Sequence, residues 1–204
     1  MRLAIQDDAA AIAEIHNEGI EDRLATFETE PRSPEAVASL LEARRATHPA
    51  VVVSRGGRVV AFAMAAPYRP RDCYSGVAEF SVYVRRDSRG GGLGRLALGS
   101  LIDECERRGF WKLLSRIFPE NQASRRLCAA LGFREVGVYR RHAKLDGRWR
   151  DCVIVERLLG EAAARGFGGL RVKPDVPGAR PSPRVAPAAR RAVGAPSWTR
   201  PTSR

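Results

Sequence analysis

Glu79 is the one carboxylate in the apolar run VAEFSVYV at 77–84, and ten residues later the chain reads RGGGLG, residues 89–94. A carboxylate in such a run either faces a cleft, where it can take a proton, or marks the solvent side of a half-exposed strand. Alternation puts Glu79, Ser81 and Tyr83 on one face and Phe80, Val82 and Val84 on the other. Three consecutive glycines give up much conformational freedom on folding, so bare backbone here implies a close approach. Successive N–H groups at a helix start form a concave nest for an anion, and Arg89 and Arg95 add positive charge.

Three readings of that loop compete. GLGRLA at 92–97 fits a dinucleotide fingerprint, which expects an opening β-α-β unit and an acidic residue about 20 positions on. Here the loop follows three antiparallel strands, and Glu120 comes too late. The whole stretch RGGGLG, an Arg-x-x-Gly-x-Gly pattern, suits a pyrophosphate cradle. The third reading is a connector with no ligand.

The elements that must position these residues follow from periodicity. Ile12 and Ile15 behind Asp7 and Asp8 predict a helix over 7–18, and Pro34 with Val37, Leu40 and Leu41 predicts another over 34–46. Two β-branched runs around the glycines at 56–57 predict a hairpin, and 77–85 is a further strand. Leu93, Leu96, Leu101 and Ile102 give a helix ending near Gly109. WKLLSRI is a short buried strand, and QASRRLCAALGF a helix stopped at Gly132. Strands at 134–143 and 149–158 join through LDGR, whose Asp-Gly favours a tight turn. The order β-α-α-β-β-β-α-β-α-β-β predicts an α/β fold, a mixed sheet of about seven strands with about four helices and a central β-α-β crossover.

Composition narrows the function. Of the net charge of +12, residues 161–204 carry +7, with nine Arg or Lys against two Asp or Glu. That segment also holds seven of the 13 prolines. The expectation is a folded domain at 1–160 and a Pro/Arg/Ala-rich disordered tail at 161–204, with no specific nucleic-acid partner and no membrane partner. The four cysteines form no CxxC pair, and His16, His48 and His142 do not fall at ligand spacing, so no metal is expected and the histidines read as structural or surface residues. A reduced, cytoplasmic setting follows.

The loop 89–94 resembles the pantetheine-pyrophosphate cradle of the GNAT acyltransferase superfamily. AEFSVYV, NQAS at 121–124, ALGF at 130–133, KLDGRWRD at 144–151, NEGIEDRLATFETEPRSP and PYRPRDCY resemble the phosphinothricin N-acetyltransferase branch. Within it, IEDRLATFETEP is similar to the arsinothricin-acetylating members. The resemblance covers residues 1–158 and implies a GNAT fold and acetyl-CoA as co-substrate. The expected acceptor is a small amino acid with a phosphinate or arsinate group, with methionine sulfoximine as a side substrate, and a homodimer is expected.

It further implies that Arg89, Gly90, Gly91, Gly92, Leu93, Gly94 and Arg95 hold the diphosphate. Val82, Tyr83 and Val84 would lie along the pantetheine arm, where the strand diverges from its neighbour at 112–117. Asn121 and Ser124 match cofactor-binding positions, although helix capping explains them as well. Glu79 matches the proposed general base, and a backbone N–H near Phe80 to Val82 would steady the oxyanion. Cys128 stands where many members carry Tyr or His, so it is either the acid for the leaving thiolate or a packing residue, with Tyr83 or solvent as substitute. Arg71 and Tyr74 match acceptor-facing positions, Phe27 would supply an apolar wall, and Arg23 and Lys144 are further cations near the mouth. Trp149 and Asp151 match a closing motif that packs, joins a dimer or touches substrate.

Overall fold

A computed structural model describes residues 1–164 of the chain. Its seven strands are β1 (Arg2–Leu3), β2 (Ala50–Arg55), β3 (Arg58–Pro67), β4 (Val77–Val84), β5 (Lys112–Ile117), β6 (Arg134–Leu145) and β7 (Arg148–Leu158). They form one sheet in the order β1-β2-β3-β4-β5-β7-β6. Every neighbouring pair is antiparallel except β4 and β5, which the crossover helix joins in parallel. The helices are α1 (Ala9–Glu21), α2 (Pro34–Arg44), α3 (Leu93–Arg107), α4 (Gln122–Ala130) and the short α5 (Gly160–Ala164). The fold is the expected α/β one. The segment read as a tail from residue 161 begins inside α5, and residues 165–204 lie outside the described part of the chain.

The run VVAFAMAA is apolar throughout because β3 is covered on both faces. Val60, Ala61, Ala63 and Ala65 join the core under α3, together with Phe80, Leu98, Leu101 and Leu113. Phe62 and Met64 join the second core, with Ile12 and Ile15 of α1 and Val37 and Leu41 of α2. The two hairpin turns use left-handed backbone, Gly56 and Gly57 in one and Asp146 and Gly147 in the other, as a two-residue turn between twisted strands requires. α1 runs three residues beyond the predicted end at 18, and those residues matter for the site.

Candidate active site

β4 and β5 are paired only from Val77↔Lys112 to Glu79↔Leu114. Beyond that point β4 continues to Val84 and β5 to Ile117 without pairing to each other, so the sheet forks at Glu79. A fork leaves the β4 edge from Phe80 onward with backbone donors and acceptors that an extended chain can pair with. Phe80 to Tyr83 and Ser115 to Phe118 line the slot between the prongs, with Asn121, Ser124 and Cys128 along α4.

The glycine loop stands beside the far end of β4. Gly92 is the N-cap of α3 and has left-handed backbone (φ 75°), as does Gly90 (φ 81°). No side chain caps α3, whereas Ser33 caps α2 and Asn121 caps α4. Among the described residues, the N–H groups of 90–94 donate to no protein acceptor. An uncapped helix start with open N–H groups attracts an anion. A Cβ built on Gly90 or Gly92 meets open space, so the left-handed backbone is what demands glycine there.

The run of open N–H groups stops short of Arg95, the last residue of the expected 89–95 cradle. Arg95 N–H already donates to the Gly92 carbonyl (3.0 Å). Gly94 serves packing, since a Cβ there would lie 3.3 Å from Leu127 and 3.5 Å from Val84. Gly91 has neither constraint, and the Leu93 side chain is buried in the core.

Arg89 is a pin as much as a charge: it pairs with Asp22 at 2.7 Å and its Nε donates to the Val84 carbonyl at 3.2 Å. Arg86 reaches Glu21 and Asp22, its N–H donates to Glu18 (2.6 Å), and Arg85 donates to Glu14 (2.8 Å). The acids at 14, 18, 21 and 22 share one side of α1, and that helical spacing was the overlooked signal. Burial opposes charge on Asp22, but the Arg89 and Arg86 hydrogen bonds outweigh it and hold its carboxyl below the ordinary range.

On the α1–α2 side of the fork lies a cavity of about 490 Å³. Glu79, Phe27, His16, Glu28 and the arginines 32, 44 and 116 line it, and it shares Phe80, Ser81 and Ser115 with the slot. Arg116 donates to Glu79 Oε2 at 2.6 Å, leaving Oε1 for another partner. Phe27 packs edge-on against Phe118 and lines the cavity.

The other predicted acceptor residues lie elsewhere. Arg23 pairs with Asp146 (3.2 Å), Lys144 sits over the Trp149 ring, and Arg71 is exposed outside the cavity. Tyr74 packs on Tyr68 in a separate cleft that touches the other side of Glu79. Asp151 accepts from Arg141 N–H (2.6 Å). His16, Arg32, Arg44 and Arg116 were missed, because they come from four separate segments with no local motif.

Asn121 is occupied by the protein: Oδ1 accepts from Ser124 N–H (3.1 Å) and Nδ2 donates to the Leu24 carbonyl (3.0 Å). Burial, with Glu135 nearby, pushes the Cys128 thiol up to about 12, and burial, with Glu28 nearby, pushes the Tyr83 phenol up to about 12. Neither group is a ready acid or nucleophile at neutral pH.

A mixed sheet forked beside an open helix start, with a carboxylate at the fork, is the framework of an acyl-transferring enzyme. The chain belongs to the acetyltransferase (GNAT) family, whose model matches residues 13–133, and it is an N-acetyltransferase. It is 35% identical to a phosphinothricin N-acetyltransferase of Alcaligenes faecalis over 78% of this chain and 82% of the relative. It is 33% identical to an L-methionine sulfoximine/L-methionine sulfone acetyltransferase of Salmonella typhimurium, over 80% and 96%. The crystal structure of a Sinorhizobium meliloti phosphinothricin acetyltransferase in complex with AcCoA superposes with a TM-score of 0.75 at 31% identity, covering 81% of this chain and 90% of that one. Among the described residues no helix is long and apolar enough to cross a membrane.

Proposed function

We propose that the protein transfers the acetyl group of acetyl-CoA to the α-amine of a small amino acid carrying a second acidic group, of the phosphinothricin or arsinothricin type, as a detoxifying step. Glu79 carries this reading: it stands where β4 and β5 part, one residue before the slot, and it lines the cavity. Two of the named relatives act on phosphinothricin or on methionine sulfoximine and sulfone. Three arginines against two carboxylates around the cavity suit an anionic acceptor better than a polyamine.

Acetyl-CoA supplies an activated thioester. The open N–H groups of Gly90 to Gly94 fit its diphosphate, and the unpaired β4 edge from Phe80 to Val84 fits its extended arm. Arg89 holds the Val84 carbonyl, so that end of the edge is already shared. Only a free amine attacks, and an amino-acid ammonium is largely protonated at neutral pH. Glu79 accepts that proton, directly or through one water, while Arg116 fixes the carboxylate from its other oxygen. N–H groups between Phe80 and Val82 face the developing oxyanion. Cys128 packs rather than reacts, so transfer is direct within the ternary complex and the leaving thiolate takes its proton from solvent. The expected homodimer would use the exposed apolar residues Val136, Val138, Tyr139 and Trp149 of the β6–β7 ribbon.

The test is an acetylation screen of amino acids, including phosphinothricin, arsinothricin and methionine sulfone, reading release of free CoA. Turnover with the oxyacid analogues above ordinary amino acids supports the proposal. Preference for a polyamine or a peptide N-terminus overturns it.

A further inference from the structure

The cavity holds one arginine without a counter-charge. Arg116 is committed to Glu79, and Arg32 grips Glu28 through both Nε (2.7 Å) and Nη2. Arg44, the last residue of α2, lines the same wall, and among the described residues no carboxylate pairs with it. It also borders a second cleft at the β1 edge, where Asp7 and Glu42 stand among Arg45, His48 and Arg108, but neither acid forms an ion pair with it. Burial lowers its pKa, and Arg32 pushes the same way.

His16 adds an independent sign. Its side chain is only 6% exposed, it lines the cavity, and its Nδ1 is buried with no hydrogen-bond partner among the described residues. Its Nε2 lies 4.0 Å from Glu28, and its ring tilts against Tyr83. Buried polar groups are ordinarily satisfied, so an orphaned imidazole nitrogen and an unbalanced guanidinium on one wall indicate a missing polar ligand. The charge balance makes that ligand an anion, and the guanidinium fork suits an oxyacid.

We infer that Arg44, assisted by His16, forms the subsite for the singly charged oxyacid group at the far end of the acceptor side chain. This rests on the amino-acid acceptor proposed above. The α-carboxylate stays two bonds from the amine and therefore beside Glu79. The far acid must reach another wall, and the end of α2 offers the cation that nothing else uses.

Methionine sulfone separates this inference from the wider reading, because its far head is tetrahedral and polar but uncharged. Steady-state kinetics at saturating acetyl-CoA would compare phosphinothricin with methionine sulfone for the wild type, Arg44→Gln and Arg44→Lys. In Arg44→Gln the ratio of kcat/KM for phosphinothricin to that for methionine sulfone should fall roughly 10- to 100-fold, mostly through KM, and Lys should restore part of it. Acetyl-CoA binding by each variant reports that it is folded. Phosphinothricin should also shift the His16 ring resonances of the wild type more than the sulfone does. A ratio unchanged within twofold in a folded Arg44→Gln overturns the subsite while leaving the acetyltransferase reading intact. A wild type that acetylates neither amino acid overturns both.

Discussion

In the proposed reaction the glycine loop and the acceptor cavity would bind by different means. The loop offers main-chain N–H groups from one contiguous stretch, 90–94, and uses side chains chiefly to hold itself against the acids of α1. The cavity offers side chains drawn from α1, the segment after it, α2, β3, β4 and β5. A main-chain cradle barely depends on which side chains surround it, so it suits the part of the reaction that does not vary. A side-chain cavity can be re-aimed at a new acceptor by one substitution without disturbing the cradle. Glu79 stands at the fork beside the cavity, at the opposite end of β4 from the loop, and replacing it should separate the two most sharply. Glu79→Gln should lower kcat by about 10²- to 10⁴-fold while the dissociation constant for acetyl-CoA, read by calorimetry, stays within about threefold. Unchanged turnover would remove Glu79 from its role.

On the loop side, Gly92→Val should raise KM for acetyl-CoA by roughly 10-fold or more, with a smaller change in KM for the acceptor. A β-branched residue strains the left-handed backbone by about 1–3 kcal/mol, so the loop relaxes out of shape. Equal effects on both KM values would mean that loop and cavity are not independent. Asp22→Asn should act more gently, raising KM for acetyl-CoA about threefold at neutral pH by loosening Arg86 and Arg89. Asp22 titrates below its ordinary value in the folded protein, so its stabilisation is complete above roughly pH 4 and is lost as pH falls through the lower folded value. The gap in urea midpoint between wild type and Asp22→Asn should therefore be full at pH 7 and close in acid.

The smallest catalytic effect is expected at Cys128, on the buried face of α4 at 1% exposure. Cys128→Ala should lower stability by about 1 kcal/mol and leave kcat within about threefold. A hundredfold fall in kcat with unchanged stability would restore it as the acid for the leaving thiolate.

The same contrast explains what could be read in advance. The loop, the strand carrying Glu79 and the crossover helix are local patterns, and the sequence shows them directly. The hairpin turns at 56–57 and 146–147 were legible for the same reason, because glycine and Asp-Gly announce left-handed backbone. Arg44, His16 and Arg116 carry no mark in sequence, since only tertiary packing brings α1, α2 and β5 around one cavity. Arg23 and Lys144 differ in the opposite direction: their charges are visible in sequence, but the structure sets them outside the cavity lining, against Asp146 and the Trp149 ring. Asn121 shows how one residue type serves two ends, since its cap on α4 and its bond to Leu24 each take half the capacity of an amide atom that a cofactor contact would also use.

Placing the thioester beside Glu79 requires the N–H groups of 90–94 to grip the diphosphate of acetyl-CoA. An amide NMR titration of the full-length protein with acetyl-CoA tests this residue by residue. The largest saturable shifts should fall at Gly90 to Gly94, followed by Phe80 to Tyr83 along the fork. If acetyl-CoA binds while the resonances of 90–94 stay unmoved, the cradle, and with it the placement of the thioester beside Glu79, is wrong.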